Sequence, residues 1–441
     1  MRDILILSLV LVVSGLAVWR PWVGVIAWTW ISLMSPHRYA YGFAATAPVA
    51  MVVALATLVG LLVTRDRWSP LQGAPVNWFL ALTIWITLSW LAGFDSERQL
   101  DDWLTVFKIN FMIIITLCLI RTRLQINIFL IVSALSLALL GVKGGLFTLA
   151  TGGSHRVWGP EGTFVGGNNE FALALIATIP LLGYMRLQMV SKLQRGLVIA
   201  MMILCAAAAL GSQSRGALVA GIAMVSMLWW RGGSNRIASA VVMAVLVAAA
   251  FQFMPETWFS RMETIETYDA DRSSLGRFSA WSLAWNASFH HFFGLGMSAT
   301  QQEWFLSYSD VGLEYGTPVA HSIYFQMLGN HGFVGLALFL ALWVSTWRMA
   351  GRLRRDARDV PQAAWCADLG SLAQVGLVGY LVGGAFLSLA YFDLPYDIMA
   401  MVVMTNLWFR RRAWETEPPP RPLGWGMWRP AKTKRLDFVP R

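Results

Sequence analysis

Two arginines and a histidine lie at the ends of apolar runs, where their side chains could meet both lipid and water. Arg215 follows a Gly-Ser-Gln-Ser turn, Arg277 begins an aromatic-rich stretch, and His321 begins an apolar run. A planar guanidinium group suits phosphate oxygens, and a neutral imidazole accepts a proton near neutral pH. These residue types fit an anion site beside a general base. Plainer roles stay open: Arg215 as a snorkelling side chain, Arg277 as a solvated partner of Asp269 or Asp271, and His321 as a capping residue.

Four further residues are secondary candidates for the same site. Arg156, Glu161 and Asn169 lie in a long polar segment, and His331 lies deeper in the apolar run that begins at His321. A histidine at that depth suits a buried, hydrogen-bonded role. The sequence has no D-x-D motif and no convincing His/carboxylate cluster at metal spacing, so we expect no metal and no other cofactor.

The composition requires a membrane environment. Hydrophobic residues make up 57% of the 441 residues and charged residues only 13%, against about a quarter charged in a typical soluble domain. This balance excludes a soluble globular protein, a disordered chain, a nucleic-acid-binding module and a disulfide scaffold. The net charge of +10 then indicates basic cytoplasmic loops rather than a nucleic-acid partner.

Apolar runs of membrane-spanning length recur along the chain. Helices of about 20 residues cross a bilayer and satisfy their own backbone groups. We therefore predict an all-α, polytopic integral membrane protein with about 12 transmembrane helices, in which residues 1–412 form a single transmembrane domain and 413–441 a basic cytoplasmic tail that is disordered. The runs lie at about 46–64, 76–93, 103–120, 124–142, 170–185, 196–211, 215–230, 237–254, 321–347, 370–391 and 395–409.

Arginine clusters orient these helices. Clusters follow every second crossing, which marks those loops as cytoplasmic; they lie near 65–67, 121–123, 186–195, 231–236, 348–358 and 410–412. Two of the intervening outside segments, at about 143–169 and 255–320, are too long to be mere connectors. Aromatic and apolar residues recur at helical spacing over 277–289, which predicts that the second segment is partly helical, with an amphipathic helix on the bilayer.

The N-terminal stretch 3–35 leaves one point of topology open. Its two apolar halves are separated by Arg20 and Pro21, and proline breaks or restarts a helix. One net crossing puts both termini in the cytoplasm, whereas two full crossings put Met1 outside. We expect one net crossing, and an uncleaved anchor rather than a signal peptide, because no A-x-A-like site follows and the next segment is apolar too.

The spacing around the histidine resembles a known motif. His321 and Ser322, then nine residues, Gly332, two residues and Gly335 resemble the histidine motif of O-antigen ligases. The turn Ser-Gln-Ser-Arg-Gly at 212–216 resembles the S-x-SR-G turn of the wider ligase and polymerase superfamily.

A third stretch supports the same resemblance. Arg277 through Trp281, followed by Gly-Leu-Gly at 294–296, resembles the R-x3-W and G-x-G elements of that family. The order, the spacing and the outside placement agree, and the hydropathy resembles the family from end to end. The stretch FVGGNNEFALAL at 164–175 also resembles the branch of this superfamily that is associated with glycosylation of bacterial surface proteins.

The resemblance implies a GT-C-like, metal-independent glycosyltransferase in the inner membrane of a Gram-negative bacterium, with a periplasmic active site. The implied donor is a polysaccharide on undecaprenyl diphosphate, and the implied acceptor is a sugar hydroxyl of lipid A–core oligosaccharide. In this scheme Arg215 and Arg277 hold the donor diphosphate, and His321 is the general base in a single displacement with inversion.

Three other functions stay open from the sequence. An O-antigen polymerase uses the same donor but generally lacks the histidine motif in this form. A protein O-oligosaccharyltransferase is favoured by the stretch at 164–175. A transporter of lipid-linked sugars is disfavoured, because transporters tend to carry charges at mid-membrane and inverted repeats, and the sequence shows neither.

Overall fold

The computed structural model of the protein describes residues 2–64, 71–94, 96–231, 244, 272–299, 301–310 and 319–417. Apart from residue 244, the predicted helix at 237–254 lies outside the described residues, as do the predicted tail from 418 onward and residues 255–271 and 311–318 of the long outside segment.

Fourteen α-helices and no β-strand occur within these ranges, which confirms the all-α class. In chain order the helices are α1 (Arg2–Trp19), α2 (Pro21–Met34), α3 (Val49–Val63), α4 (Ala74–Ala92), α5 (Leu100–Leu119), α6 (Arg123–Ala150), α7 (Asn168–Gln188), α8 (Lys192–Gly211), α9 (Arg215–Arg231), α10 (Arg272–His290), α11 (Gln302–Tyr308), α12 (Ile323–Asp356), α13 (Ala364–Gly384) and α14 (Asp393–Arg410).

Eight of the described helices, α1, α4 to α8, α12 and α13, are long and apolar enough to cross a membrane. Two more apolar helices, α2 and α3, are shorter, with 14 and 15 residues. The polytopic membrane architecture is therefore confirmed. The predicted number of about 12 crossings depends in part on the run at 237–254, which falls outside the described ranges.

The helices differ in how much of their surface faces lipid. Only 17% of the apolar window of α1 is buried inside the protein, against 72% for α7, so α1 lies at the periphery and α7 in the interior. Nearly every residue of α14 is buried as well. Close helix contacts rely on small residues: Gly145 of α6 lies directly against the backbone of Leu204 in α8, as is typical of helix packing in membranes.

The first two helices form an antiparallel hairpin. The carboxylate of Asp3, at the start of α1, accepts hydrogen bonds of 3.1 Å from the backbone N–H groups of Gly42 and Ala44, which follow α2. At the other end of α1, the carbonyl oxygen of Ala17 packs against Gly60 in the last turn of α3. The sharp reversal between α1 and α2 occurs where proline occupies the first position of α2.

This hairpin changes the predicted topology. Arg20, at the hairpin turn, lines the same cavity as Arg411 and Glu417, while Asp3 lies at the opposite end of the bundle. The expectation of one net crossing with both termini on the cytoplasmic side does not fit this arrangement. The two-crossing alternative fits it, with the first residues at one end of the bundle and residues 413–417 at the other.

The bundle thus has two distinct ends. We call the end with Arg20, Arg121 and Arg411 the arginine-rich end. The opposite end, which we call the site end, carries the segment 151–167, the turn 211–214, α10 and the start of α12. The predicted partly helical outside segment is observed there as α10 and α11, and α10 packs Ala284 against Gly329 of α12.

Candidate functional site

His321 precedes α12 in an unusual backbone conformation. Its φ is +45°, in the left-handed region that a non-glycine residue enters at a cost of about 1–2 kcal/mol. The next residue, Ser322, is the N-cap of α12. The Nδ1 atom of His321 is buried and has no hydrogen-bond partner among the described residues. Strained backbone and an unpaired buried ring nitrogen together are typical of functional positions rather than of packing.

Arg277 and Trp281 lie one turn apart on α10 and face the histidine. Trp281 donates its indole N–H to the carbonyl oxygen of Ala320 at 2.7 Å. Its ring stacks on Phe325 with centroids 4.9 Å apart and an interplanar angle of 8°. Residues four apart share a helix face. The bond from Trp281 to Ala320 therefore also places Arg277 on the side of α10 that is directed towards His321.

The positive charge of Arg277 affects the pKa of the His321 imidazole. Burial lowers the pKa of His321 from its usual 6.5, and the nearby positive charge of Arg277 lowers it further. A lowered pKa keeps the imidazole neutral at neutral pH, which is the form that accepts a proton. The arrangement therefore joins a guanidinium group that can bind an anion to a base that is ready to act.

Glu170 is a third charged residue at this point, which the sequence analysis did not single out. It interacts electrostatically with Arg277 and lies in the first turn of α7, where a helix favours negative charge. Its carboxylate folds back into the space that a side chain at Gly167 would occupy. A lone acid at the start of an apolar helix was the available signal, but only the electrostatic interaction with Arg277 of α10 shows its relevance.

Arg215 is positioned by the turn that precedes α9. The hydroxyl of Ser214 accepts the backbone N–H of Ala217 at 3.2 Å and so caps the helix that Arg215 begins. The side-chain amide of Asn168 donates to the carbonyl oxygen of Ser212 at 2.8 Å. This bond attaches the turn to the start of α7, two residues before Glu170.

The end of α13 packs against both α9, which begins with Arg215, and α12, which follows His321. Gly216 of α9 lies against Phe386, just beyond α13, and Gly384 at the end of α13 lies against Ile323, the first residue of α12. The segments that carry Arg215 and His321 therefore both pack against the end of α13.

The secondary candidates divide into two groups. Arg156 donates from Nε to Oε1 of Gln213 at 3.3 Å, which places it beside the turn that leads to Arg215. Glu161, in contrast, is exposed in a part of the segment where the neighbouring Gly162 approaches the guanidinium group of Arg38. Asn169 is half-buried at the start of α7.

His331 has a structural position. It is fully buried, with Nδ1 2.9 Å from the hydroxyl of Ser89 and Nε2 2.7 Å from the hydroxyl of Tyr391. Both ring nitrogens are thus used to join α12 to α4 and to the segment before α14, which leaves no nitrogen for a substrate. This makes His331 a poor candidate for the proton acceptor.

The glycines of the histidine motif and of the G-x-G element have a common physical reason. Gly332 interrupts α12 with φ +66° and ψ −172°, and a Cβ there would lie 2.6 Å from the carbonyl oxygen of Phe292. Gly294 also has a positive φ, of +75°, and the next N–H, of Leu295, donates to the carbonyl oxygen of Gly329 at 2.9 Å. The backbone of residues 292–295 thus lies directly against the backbone of residues 329–332, and this contact fixes the end of α10 at the bend of α12.

The three leading residues thus lie on segments that converge at the site end. Within the described ranges, no group of three or more His, Cys, Asp or Glu side chains could hold a metal ion. The groups that are present can bind an anion through guanidinium N–H donors and accept one proton through an imidazole nitrogen.

Comparison with known protein families gives two matches. Residues 200–340 match the model of a family described as O-antigen ligase, and residues 1–190 match a family of unknown function, DUF5935. The first match contains Arg215, Arg277 and His321, and so covers the three motifs that carry the resemblance. A search of curated proteins found no match.

Proposed function

We propose, from the premise that this chain belongs to the O-antigen ligase superfamily, that it moves a polysaccharide from undecaprenyl diphosphate to a sugar hydroxyl of lipid A–core oligosaccharide. Family membership itself indicates a membrane glycosyltransferase of the ligase or polymerase type. The observation that carries the finer proposal is the hydrogen bond from Trp281 to Ala320 at 2.7 Å. It brings α10 to the residue before His321, where the charge of Arg277, one turn earlier, lowers the pKa of the imidazole. This arrangement pairs the group needed for the donor with the group needed for the acceptor.

The donor diphosphate binds at the guanidinium groups of Arg277 and Arg215. The bond that breaks joins the anomeric carbon of the glycan to a diphosphate oxygen, and negative charge grows on that oxygen as it leaves. Fixed positive groups stabilise this charge in the transition state. Arg156, beside the same turn, is available to a second phosphate oxygen.

The acceptor hydroxyl approaches from the side of His321. Its oxygen forms the new bond to the anomeric carbon, and its proton passes to the neutral imidazole, in a single displacement with inversion. Glu170 orients Arg277 through their charge interaction. No step needs a metal, because the two arginines supply the positive charge that a metal would otherwise bring.

The site end faces the periplasm in this proposal. Arginine-rich loops mark the cytoplasmic face of a membrane protein, and the candidate site lies at the end of the bundle opposite to Arg20, Arg121 and Arg411. In this proposal the polyprenyl donor, in the inner membrane of a Gram-negative bacterium, presents its diphosphate at the boundary between the membrane and the periplasm. On this orientation the first residues are periplasmic and residues 413–417 are cytoplasmic.

A transfer assay with purified protein, lipid-linked polysaccharide and lipid A–core tests the proposal. We expect His321→Ala to lower kcat by about 10²–10⁴-fold, the usual contribution of general-base catalysis, and Arg277→Ala to reduce transfer as well. His290→Ala is the matched control, because His290 is an exposed residue at the end of the same α10 helix. Wild-type transfer by His321→Ala would remove the general-base role.

A protein acceptor is the second candidate, favoured by one observation. The stretch at 164–175, which resembles the protein-glycosylating branch, supplies Asn168 and Glu170 to the candidate site. The surface polysaccharide profile after gene deletion separates the cases. Loss of long-chain lipopolysaccharide with accumulation of polyprenyl-linked polymer indicates a ligase, a single-repeat cap indicates a polymerase, and normal lipopolysaccharide with an unglycosylated protein indicates a protein acceptor.

A further inference from the structure

A second polar cavity lies at the arginine-rich end of the bundle. Its volume is about 360 Å³, and it opens where the α1–α2 turn, the α5–α6 connection and the end of α14 meet. Helix α5 alone, with 20 residues, is about 30 Å long, so a large part of the bundle separates this cavity from the candidate site. The proposed transfer reaction makes no use of it.

Three arginines line the cavity, and each is fixed by a helix end. Arg20 is the N-cap residue of α2, ahead of the proline that starts that helix, and Arg411 is the C-cap residue of α14. The backbone N–H of Arg121 donates to Oε1 of Gln125 at 2.9 Å, as part of the capping of α6. The backbone thus brings three segments that are distant in the sequence to one opening.

The charge of this opening favours an anion. Against the three guanidinium groups the lining contains one carboxylate, that of Glu417, which accepts the backbone N–H of Arg123 at 3.2 Å. Among the described residues, the lining therefore carries more basic than acidic side chains. Guanidinium groups bind phosphate oxygens in a planar, two-pronged geometry.

The remaining lining adds an apolar wall and a buried donor. Trp22, Leu119 and Trp408 line the cavity beside the arginines. Trp408 is only 3% exposed, and its indole N–H has no acceptor among the described residues. A buried N–H without an acceptor is destabilising, so a ligand with an oxygen acceptor at this position would stabilise the protein.

We propose that this cavity binds the phosphate of an anionic phospholipid, such as phosphatidylglycerol, from the leaflet at the arginine-rich end. The phosphate contacts the guanidinium groups of Arg20, Arg121 and Arg411, and the glycerol and upper acyl carbons lie against Trp22 and Leu119. Free phosphate is also an anion, but it has no apolar part that could pack against Trp22 and Leu119. Basic pockets at the ends of membrane helices are recognised lipid headgroup sites.

Native mass spectrometry of the full chain in detergent tests this proposal, with phosphatidylglycerol and zwitterionic phosphatidylethanolamine as probes. We expect preferential retention of phosphatidylglycerol, and a loss of affinity of about tenfold or more in the double variant Arg20→Gln with Arg411→Gln, since a charge-assisted contact is worth about one tenfold step. The matched control is Arg352→Gln with Arg355→Gln, because these exposed arginines end α12 outside the cavity and the variant loses the same charge.

The outcomes separate the alternatives. Equal loss in the cavity variant and in the control would replace the site with a diffuse surface charge, and full retention in the cavity variant would overturn the proposal outright. A rise in Tm with inorganic phosphate alone that equals the rise with phosphatidylglycerol would also overturn it, in favour of a free-phosphate site. If the double variant does not fold, Arg20→Gln alone gives the answer, because the side chain of Arg20 is exposed.

Discussion

Replacement of Gly332 by alanine isolates the contact that holds α10 on α12. At φ +66° and ψ −172° the backbone occupies a region that is essentially restricted to glycine, and a side chain there costs about 1–3 kcal/mol. The added Cβ would also lie 2.6 Å from the carbonyl oxygen of Phe292, a distance at which the backbone must shift. The two effects together give an expected destabilisation of about 2–4 kcal/mol.

The same change should reach catalysis, because α10 carries Arg277 and Trp281. A displacement of that helix would move the guanidinium group away from His321 and loosen the indole bond to Ala320, which is 2.7 Å long. A misplacement of about 1 Å in a catalytic group can cost about 10²-fold in rate. We therefore expect Gly332→Ala to lower both Tm and kcat, and the kcat effect to persist at temperatures well below the lowered Tm.

Fluorescence-detected size-exclusion chromatography after heating measures the stability, and the transfer assay measures kcat. Gly152→Ala is the control: Gly152 also has a positive φ, of +58°, but a Cβ there would meet nothing within 4 Å, so it should lose only about 1 kcal/mol. If Gly332→Ala matches the control in both measurements, the backbone contact does not position the site, and this reasoning is wrong.

Three other predictions follow from charges near the site and in the core. Arg277 lowers the pKa of His321, so Arg277→Gln should move the acid limb of the residual pH profile of kcat/KM to higher pH. Arg277→Lys keeps the positive charge and should leave this limb near its wild-type position. An unchanged acid limb in the glutamine variant would exclude an effect of Arg277 on the pKa of His321. Glu170→Gln should reduce kcat/KM about tenfold or more with an unchanged Tm, if Glu170 orients the arginine; a lowered Tm with normal kinetics would make its role structural. In the core, the carboxylate of Asp393 accepts a hydrogen bond from the hydroxyl of Ser32. Asp393→Ala should therefore lower the free energy of unfolding by about 1–3 kcal/mol, and Asp393→Asn, which keeps an acceptor oxygen, by much less. Equal losses in thermal unfolding would show that the carboxylate charge matters instead.

Local patterns were sufficient to find the residues on which the proposal depends. The motif spacing singled out Arg215, Arg277 and His321, and the family match covers the region that contains all three. The structure gives a physical account of the spacing: Arg277 and Trp281 are one helical turn apart on the same face of α10, where Trp281 binds the carbonyl oxygen of Ala320 and the charge of Arg277 lowers the pKa of His321.

Other features needed contacts between distant segments. A proline break at 20–21 has the same sequence whether the chain bends slightly or reverses, and contacts between distant residues, such as the bonds from Gly42 and Ala44 to Asp3, identify the reversal. Glu170 looks like an ordinary acid in a first helical turn until α10, more than a hundred residues later, brings Arg277 to it.

The membrane environment, the helical class and the residue types proposed for the chemistry were predictable from the sequence, because hydropathy, helix length and side-chain type are local properties of the chain. Which polar groups lie close together depended on the packing of the helices. His331 has two buried hydrogen-bond partners, whereas Nδ1 of His321 has none among the described residues, although both residues are histidines of the same motif region. The physical reason is that the environment of an ionisable group depends on the segments packed around it, and those segments come from distant parts of the sequence.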